Sequence, residues 1–231
     1  MKLELPEQIH RENWLRYLQG SGEPTPQMVQ QMDEAEKMLL AQAHPRAIYR
    51  VLGREDVATE GFAITKHLEG CDRVAVLAMT IGGEADALIR RYEVSNMAMA
   101  LIIDAGASAL TEQMADEAER VMIEEIKAKR DAQADAVQTA AGTAVKPLYF
   151  TPRFSPGYGD YPIQYQREIL AYVDAARKIG ITLTPSNMMM PSKSITALVG
   201  LADHPVTGRL ATCGECVLRE KCTLRKEGQH C

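Results

Sequence analysis

The sequence predicts an α+β domain, and three observations carry that prediction. Residues 74–80, VAVLAMT, form a compact apolar run of strand length. The stretch 96–129 is rich in strong helix formers, with neither proline nor a glycine pair to break it. In the C-terminal half, short β-prone runs at 148–150, 181–184, 187–190 and 195–201 alternate with Gly and Pro punctuation, as antiparallel strands do. At 231 residues the chain is long enough for one sizeable core.

In order, the first 20 residues hold a short helix around Trp14, closed by Gly20 and Gly22. Thr25-Pro26 is an N-cap followed by proline at the first helical position. Met28, Met32, Ala35 and Leu39 then recur on one inward face up to Pro45. Residues 48–51 form a first strand, whereas 62–68 fits helix or strand. The run at 74–80 is a buried strand ended by Ile81-Gly82-Gly83, after which a helix runs from Glu84 to Tyr92. A glycine pair at that junction can receive a phosphate, but the other glycines and the lysine of a nucleotide loop are missing.

Ser95 is the expected cap of the long helix, which would span about 50 Å at 1.5 Å per residue. Its first half is apolar nearly all round and is expected to be buried; its second half carries a charged face. Leu101, Ala105, Ser108 and Glu112 share one side by their spacing, which puts a carboxylate at the edge of a small-residue surface. Residues 131–146 are small and polar and are expected to form a connection. Pro162 starts a helix whose Ile169, Leu170, Val173 and Ile179 face inward, closed by Gly180. Pro191-Ser192-Lys193-Ser194 is expected to join the last two strands as a hairpin.

Composition narrows the function classes. Hydrophobic residues make up 46% and charged residues 25%, the proportions of a water-soluble globular fold. A formal net charge of −5 argues against an extended nucleic-acid surface. The N-terminus lacks the apolar core of a secretory signal, and no apolar run is long enough to span a bilayer, so a cytoplasmic location is expected. No Ser/His/Asp, Cys/His or paired-carboxylate arrangement suggests a catalytic residue.

The most informative loop is Arg153-Phe154-Ser155-Pro156-Gly157-Tyr158-Gly159-Asp160. Pro156-Gly157 favours a tight turn, because proline presets φ and glycine accepts positive φ. Arg153 offers a planar five-donor fork suited to a carboxylate. Together they suit a small zwitterion held partly by main chain. On the residues alone the loop is also an ordinary strand-to-helix turn, and Glu112 an ordinary solvated helix glutamate.

The Arg-Phe-Ser-Pro-Gly-Tyr segment, the proline-started helix after it, Gly-Ile-Thr-Leu-Thr at 180–184 and Met-Met-Pro-Ser-Lys-Ser at 189–194 together resemble the activation domain of cobalamin-dependent methionine synthase. Thr80-Ile81-Gly82 matches a further segment of that pattern. The resemblance spans roughly residues 48–205 and implies a curved α+β unit with an antiparallel sheet. It further implies binding of S-adenosylmethionine, with Arg153 on the methionyl carboxylate, backbone groups around Ser155 and Gly157 on the amino acid and adenine, and Tyr158 lining the pocket. Glu112 takes the position of a glutamate that contacts the ligand. Two features depart from the pattern: the family's ligand-contacting aspartate has no counterpart that can be placed. Ala202, Asp203, His204 and Pro205 stand where its aromatic residues follow the last strand.

Four of the five cysteines, Cys213, Cys216, Cys222 and Cys231, fall within the last 19 residues. In a reducing cytosol that clustering points to metal. The spacing suits one tetrahedral zinc or one [4Fe-4S] cluster, with His204 and His230 as alternative ligands. The fifth, Cys71, is expected to be a small half-buried residue. The domains expected are therefore 1–205, activation-like, and 206–231, a Cys-rich tail.

The resemblance implies a methyltransferase component: a reactivation subunit that supplies S-adenosylmethionine for remethylation of cobalamin carried by a corrinoid-bearing methyltransferase or corrinoid protein. No Asp-x-His-x-x-Gly cobalt-ligating segment is present, so cobalamin would arrive on that partner, and a flavodoxin or ferredoxin would act as reductant. Two other classes remain open: an iron–sulfur electron-transfer protein for a corrinoid enzyme, and a zinc-knuckle interaction scaffold.

Overall fold

The computed structural model describes residues 1–18, 23–141 and 146–208 and Glu220, with backbone alone for 133–141. Gly20, Gly22, Gly142 and the four clustered cysteines lie outside the described residues, so the expectations placed on them are not addressed by it. The elements in chain order are α1 (Arg11–Tyr17), α2 (Pro26–Gln42), β1 (Arg46–Gly53), α3 (Phe62–His67), β2 (Arg73–Thr80), α4 (Gly83–Ser95) and α5 (Met97–Ala141). They continue with β3 (Tyr149–Phe150), α6 (Gln166–Val173), α7 (Ala175–Ile179), β4 (Thr182–Leu183), β5 (Met189–Met190) and β6 (Ser194–Ala202).

A four-stranded sheet has the order β1-β2-β6-β3, and β4 and β5 form a separate antiparallel pair. The flanking bonds run antiparallel: His44 N–H donates to Ile81 C=O and Arg54 N–H to Asp72 C=O, while Ile81 N–H donates to Lys193 C=O and Asp72 N–H to Leu201 C=O. β2 is buried at every position after Arg73, and β6 at every position but Ile195. That is why both read as continuous apolar runs rather than alternating ones. The α+β class, the antiparallel sheet and the long helix are as expected.

The chain packs as two compact units, each assembled from three segments. The first comprises Met1–Ile48, Ala78–Glu124 and Ala175–Ile195. Its core is built on Trp14, Met32, Leu39, Ile81, Leu88, Ile103 and Leu110, all essentially inaccessible. The Thr25 hydroxyl accepts from Met28 N–H at 3.2 Å, as the Thr-Pro start predicts. Asp86, buried in the first turn of α4, accepts from the Ser192 amide at 2.8 Å and the Ser192 hydroxyl at 2.5 Å. The second unit comprises Tyr49–Leu77, Glu125–Asp174 and Thr196–Cys231. There Ile64, Leu68, Val74, Val76, Phe154, Tyr161, Ile169, Val173 and Leu198 are buried.

Several boundaries move for physical reasons. Residues 62–67 are helical, with Gly61 at φ +116 turning the chain into the helix. The long helix continues through 131–141, where a connection was expected, because its alanines and glutamines favour helix more than their polarity opposes it. Asn96 caps it, not Ser95: the Asn96 side chain accepts from Met99 N–H, while Ser95 closes α4. Met97 and Leu101 in its apolar first half are 58% and 60% exposed, so that half is not buried all round. The helix after Pro162 starts as a 3-10 turn and breaks at Asp174, which sits in the left-handed region at φ 56. Finally, residues 187–190 pair with β4 rather than with the strand that follows them; β6 lies between β2 and β3.

Candidate functional site

The stretch from Thr151 to Asp160 is shaped by residues 196–200 of β6, all within the second unit. Thr151 N–H donates to Gly200 C=O at 3.0 Å, and Gly200 N–H returns to the Thr151 hydroxyl at 2.8 Å. Phe154 and Leu198 exchange both backbone bonds, at 3.0 and 2.8 Å, as an isolated antiparallel bridge. The Ser155 hydroxyl donates to Thr196 C=O at 2.6 Å. Attachment thus falls at Thr196, Leu198 and Gly200, every second residue, as the two-residue period of a strand requires. Gly200 must be glycine, since a β-carbon there would meet Cys71 Sγ at 2.5 Å. Cys71 is buried, and burial pushes its thiol pKa up.

Beyond Ser155 the chain turns on itself. Tyr158 N–H donates to Ser155 C=O at 3.2 Å, Gly157 N–H to Tyr161 C=O at 2.8 Å and Tyr161 N–H to Tyr158 C=O at 3.0 Å. Gly157 lies at φ +93 and Gly159 at φ +57, conformations that a side chain resists. Among the described residues, a β-carbon built on Gly157 would meet only Ile163 Cδ1 within 4 Å, at 3.5 Å, so there is room on that side of Gly157. Tyr158 is 54% exposed beside it, its ring edge-on to the buried Phe154 at 6.2 Å between centroids. Arg153 is half-buried at the start of the loop, as is Ser155.

The loop is also held from the other side. The Asp160 carboxylate accepts from Phe62 N–H at 2.6 Å and Ala63 N–H at 2.8 Å. These two bonds, chiefly that from Ala63, hold its pKa below the ordinary carboxylate value. Tyr161 is buried, which raises its phenol pKa, and its hydroxyl donates to Ala58 C=O at 3.2 Å.

Arg153, Ser155, Gly157 and Tyr158 therefore share one loop of the second unit. Glu112 belongs to the first unit, half-buried on α5 one turn beyond Ser108. Among the described residues it has no hydrogen-bond or ion-pair partner. Ser108 and Asp104 both receive Lys193 Nζ, at 2.8 Å each, and the Lys193 side chain is only 12% exposed. The lysine of the Met-Met-Pro-Ser-Lys-Ser segment is thus tied to the same helix as Glu112. At the Gly82-Gly83 junction, Glu84 Oε2 lies 2.6 Å from where a Gly82 β-carbon would stand.

Asp160 received no role from the sequence, although an aspartate after Gly-Tyr-Gly is a frequent turn and capping residue. Its partners lie 97 and 98 residues earlier, a pairing that no local pattern announces. Among the described residues no group of three or more His, Cys, Asp or Glu is placed to hold a metal ion. No helix among them is long and apolar enough to cross a membrane.

A search of the curated proteins finds no match. Among solved structures, the fold is similar to a crystal structure of the MetH reactivation domain bound to AdoHcy, with a TM-score of 0.54 at 16% identity, covering 94% of this chain and 82% of that one. Residues 27–207 match the family model for the vitamin B12 dependent methionine synthase activation domain, and over that span, more than three quarters of its length, the chain belongs to this family.

Proposed function

We propose that this protein binds S-adenosylmethionine at the Arg153 to Tyr158 loop and supports reductive methylation of cob(II)alamin on a separate cobalamin-dependent methyltransferase of the methionine synthase type. The observation that carries the reading is the bend at Gly157: main chain in a positive-φ turn, with room among the described residues beside Gly157, and a half-buried arginine four residues earlier. A planar donor fork next to exposed backbone fits the carboxylate and ammonium ends of an amino acid. Membership of the activation-domain family supports the choice of ligand.

In this reading Arg153 holds the carboxylate, and the backbone around Ser155 and Gly157 holds the remaining polar edges of the amino acid and adenine. Tyr158 walls the site. When bound, S-adenosylmethionine supplies an electrophilic methyl group; the electron comes from a reductant of the flavodoxin or ferredoxin class. The chain's own contribution is binding and orientation, so it needs neither a nucleophile nor a general base. Ser155 is suited to holding the bend rather than reacting, because its hydroxyl is spent on Thr196 C=O.

Residues 1–205 would form the activation part and 206–231 a tail in which Cys213, Cys216, Cys222 and Cys231 hold zinc or a [4Fe-4S] cluster, in a cytoplasmic protein. Calorimetric titration of the full chain with S-adenosylmethionine tests the central claim. Saturable binding near one equivalent is expected. Absence of binding, with a folded protein confirmed by circular dichroism, overturns it.

A further inference from the structure

The stretch 58–63, which leads into the first turn of α3, is fastened to residues 160–172 by five hydrogen bonds, all within the second unit. Ala58 N–H donates to the Tyr172 hydroxyl at 2.9 Å, and the Tyr161 hydroxyl donates to Ala58 C=O at 3.2 Å. The Tyr165 hydroxyl donates to Glu60 Oε2 at 2.9 Å. At the end of the segment, both oxygens of Asp160 accept backbone amides, from Phe62 and Ala63.

Gly61 makes that last attachment possible. It lies at φ +116, and a β-carbon on it would come within 2.7 Å of Asp160 Oδ1 and 2.8 Å of Asp160 C=O. Glycine is therefore required twice over: for its backbone conformation and for the close approach of the aspartate. On its other side Asp160 is three residues from Gly157, whose N–H bond to Tyr161 C=O closes the bend directly over it. β6 fixes the start of the bend, through Phe154 and Ser155. Gly157 and Gly159 both lie in positive-φ conformations, so fixing the end of the bend costs backbone freedom, which the buried Tyr161 and the Asp160 bonds hold down together.

We infer that Asp160 is a positioning residue for the ligand loop, clamping the far end of the Gly157 bend to the 58–63 segment so that the bend is already formed when a ligand arrives. The inference rests on the ligand reading above only for what the loop binds. The clamp itself concerns this chain alone. Fixing the bend in advance removes an ordering cost that binding would otherwise meet, and so raises affinity without adding a ligand contact. The depressed pKa of Asp160 accords with a carboxylate committed to two amide donors.

Two variants and two readouts test it. Asp160→Ala removes both acceptors, whereas Asp160→Asn keeps the size and one acceptor oxygen. Amide hydrogen exchange is measured first, without ligand. In Asp160→Ala, exchange at Phe62, Ala63, Gly157 and Tyr158 should accelerate by about tenfold or more, with Asp160→Asn intermediate. Unchanged exchange at Gly157 and Tyr158 would overturn the inference, whatever the loop binds. Calorimetry with S-adenosylmethionine follows. Asp160→Ala should weaken binding by about tenfold or more, and the effect of Arg153→Ala should shrink in its background, since a misplaced loop makes the arginine less useful. Equal binding by wild type and Asp160→Ala, or fully additive losses, would also overturn it. If wild type binds no S-adenosylmethionine, the ligand assignment fails while the exchange data still decide the clamp.

Discussion

The indole of Trp14 occupies the space that a side chain at Gly106 would fill. A β-carbon built there would lie closer than 3.0 Å to three ring atoms, and the ring is further fixed by its Nε1 bond to Ile102 C=O at 2.9 Å. Gly106 is thus explained by packing within the first unit, and the small residues around it admit the only tryptophan of the chain. Gly106→Ala is expected to destabilise the protein by about 1–3 kcal/mol, the usual cost of overfilling a tight core. Urea denaturation followed by tryptophan fluorescence measures it, and a midpoint equal to wild type would contradict the packing.

Arg153→Ala should weaken S-adenosylmethionine binding by about 1.5–3 kcal/mol, the range for losing a hydrogen bond to a charged group. Arg153→Lys should recover only part of this, because an ammonium cannot present two parallel donors to a carboxylate. Calorimetry separates the cases. Full rescue by lysine would indicate a point-charge interaction and argue against the planar contact.

Acid should loosen the loop through Asp160. Its folded pKa lies below that of the unfolded chain, about 3.9, so its contribution to stability is complete above the unfolded value and is lost as pH falls through the folded one. The difference in denaturation midpoint between wild type and Asp160→Asn should therefore be largest near neutral pH and shrink towards pH 3. A difference independent of pH would mean that the charge of Asp160 contributes nothing.

For the clustered cysteines the expectation is one metal centre per chain in anaerobically purified protein, lost when Cys213 and Cys216 are both changed to serine. Elemental analysis with a visible spectrum distinguishes zinc, which is colourless, from a brown iron–sulfur cluster. Metal-free protein with four titratable thiols in that region would remove the tail site.

The sequence exposed the elements whose chemistry is local. Thr25-Pro26 announced α2, and the apolar run at 74–80 announced β2. The bend at Pro156-Gly157 was visible in two residues, and Ile169, Leu170, Val173 and Ile179 are buried as their spacing predicts. What stayed hidden depends on distant partners. Residues 187–190 and 195–201 look like a hairpin, but β6 satisfies its backbone against β2 and β3, from elsewhere in the chain. Nothing near Asp160 signals that its carboxylate meets the amides of Phe62 and Ala63. The polar 131–141 segment misled in the other direction, because polar composition says little about whether alanine-rich chain is helical.

The fastening of the 151–160 loop to β6 limits which changes the strand can accept. Every atom that β6 contributes at Thr196, Leu198 and Gly200 is a carbonyl oxygen or an amide nitrogen, so residue changes along most of the strand can drift with the packing behind it while the moorings stay in place. What the strand cannot tolerate is a slide by a single position, since that would misalign every mooring at once. Register, more than side-chain identity, is what these moorings require.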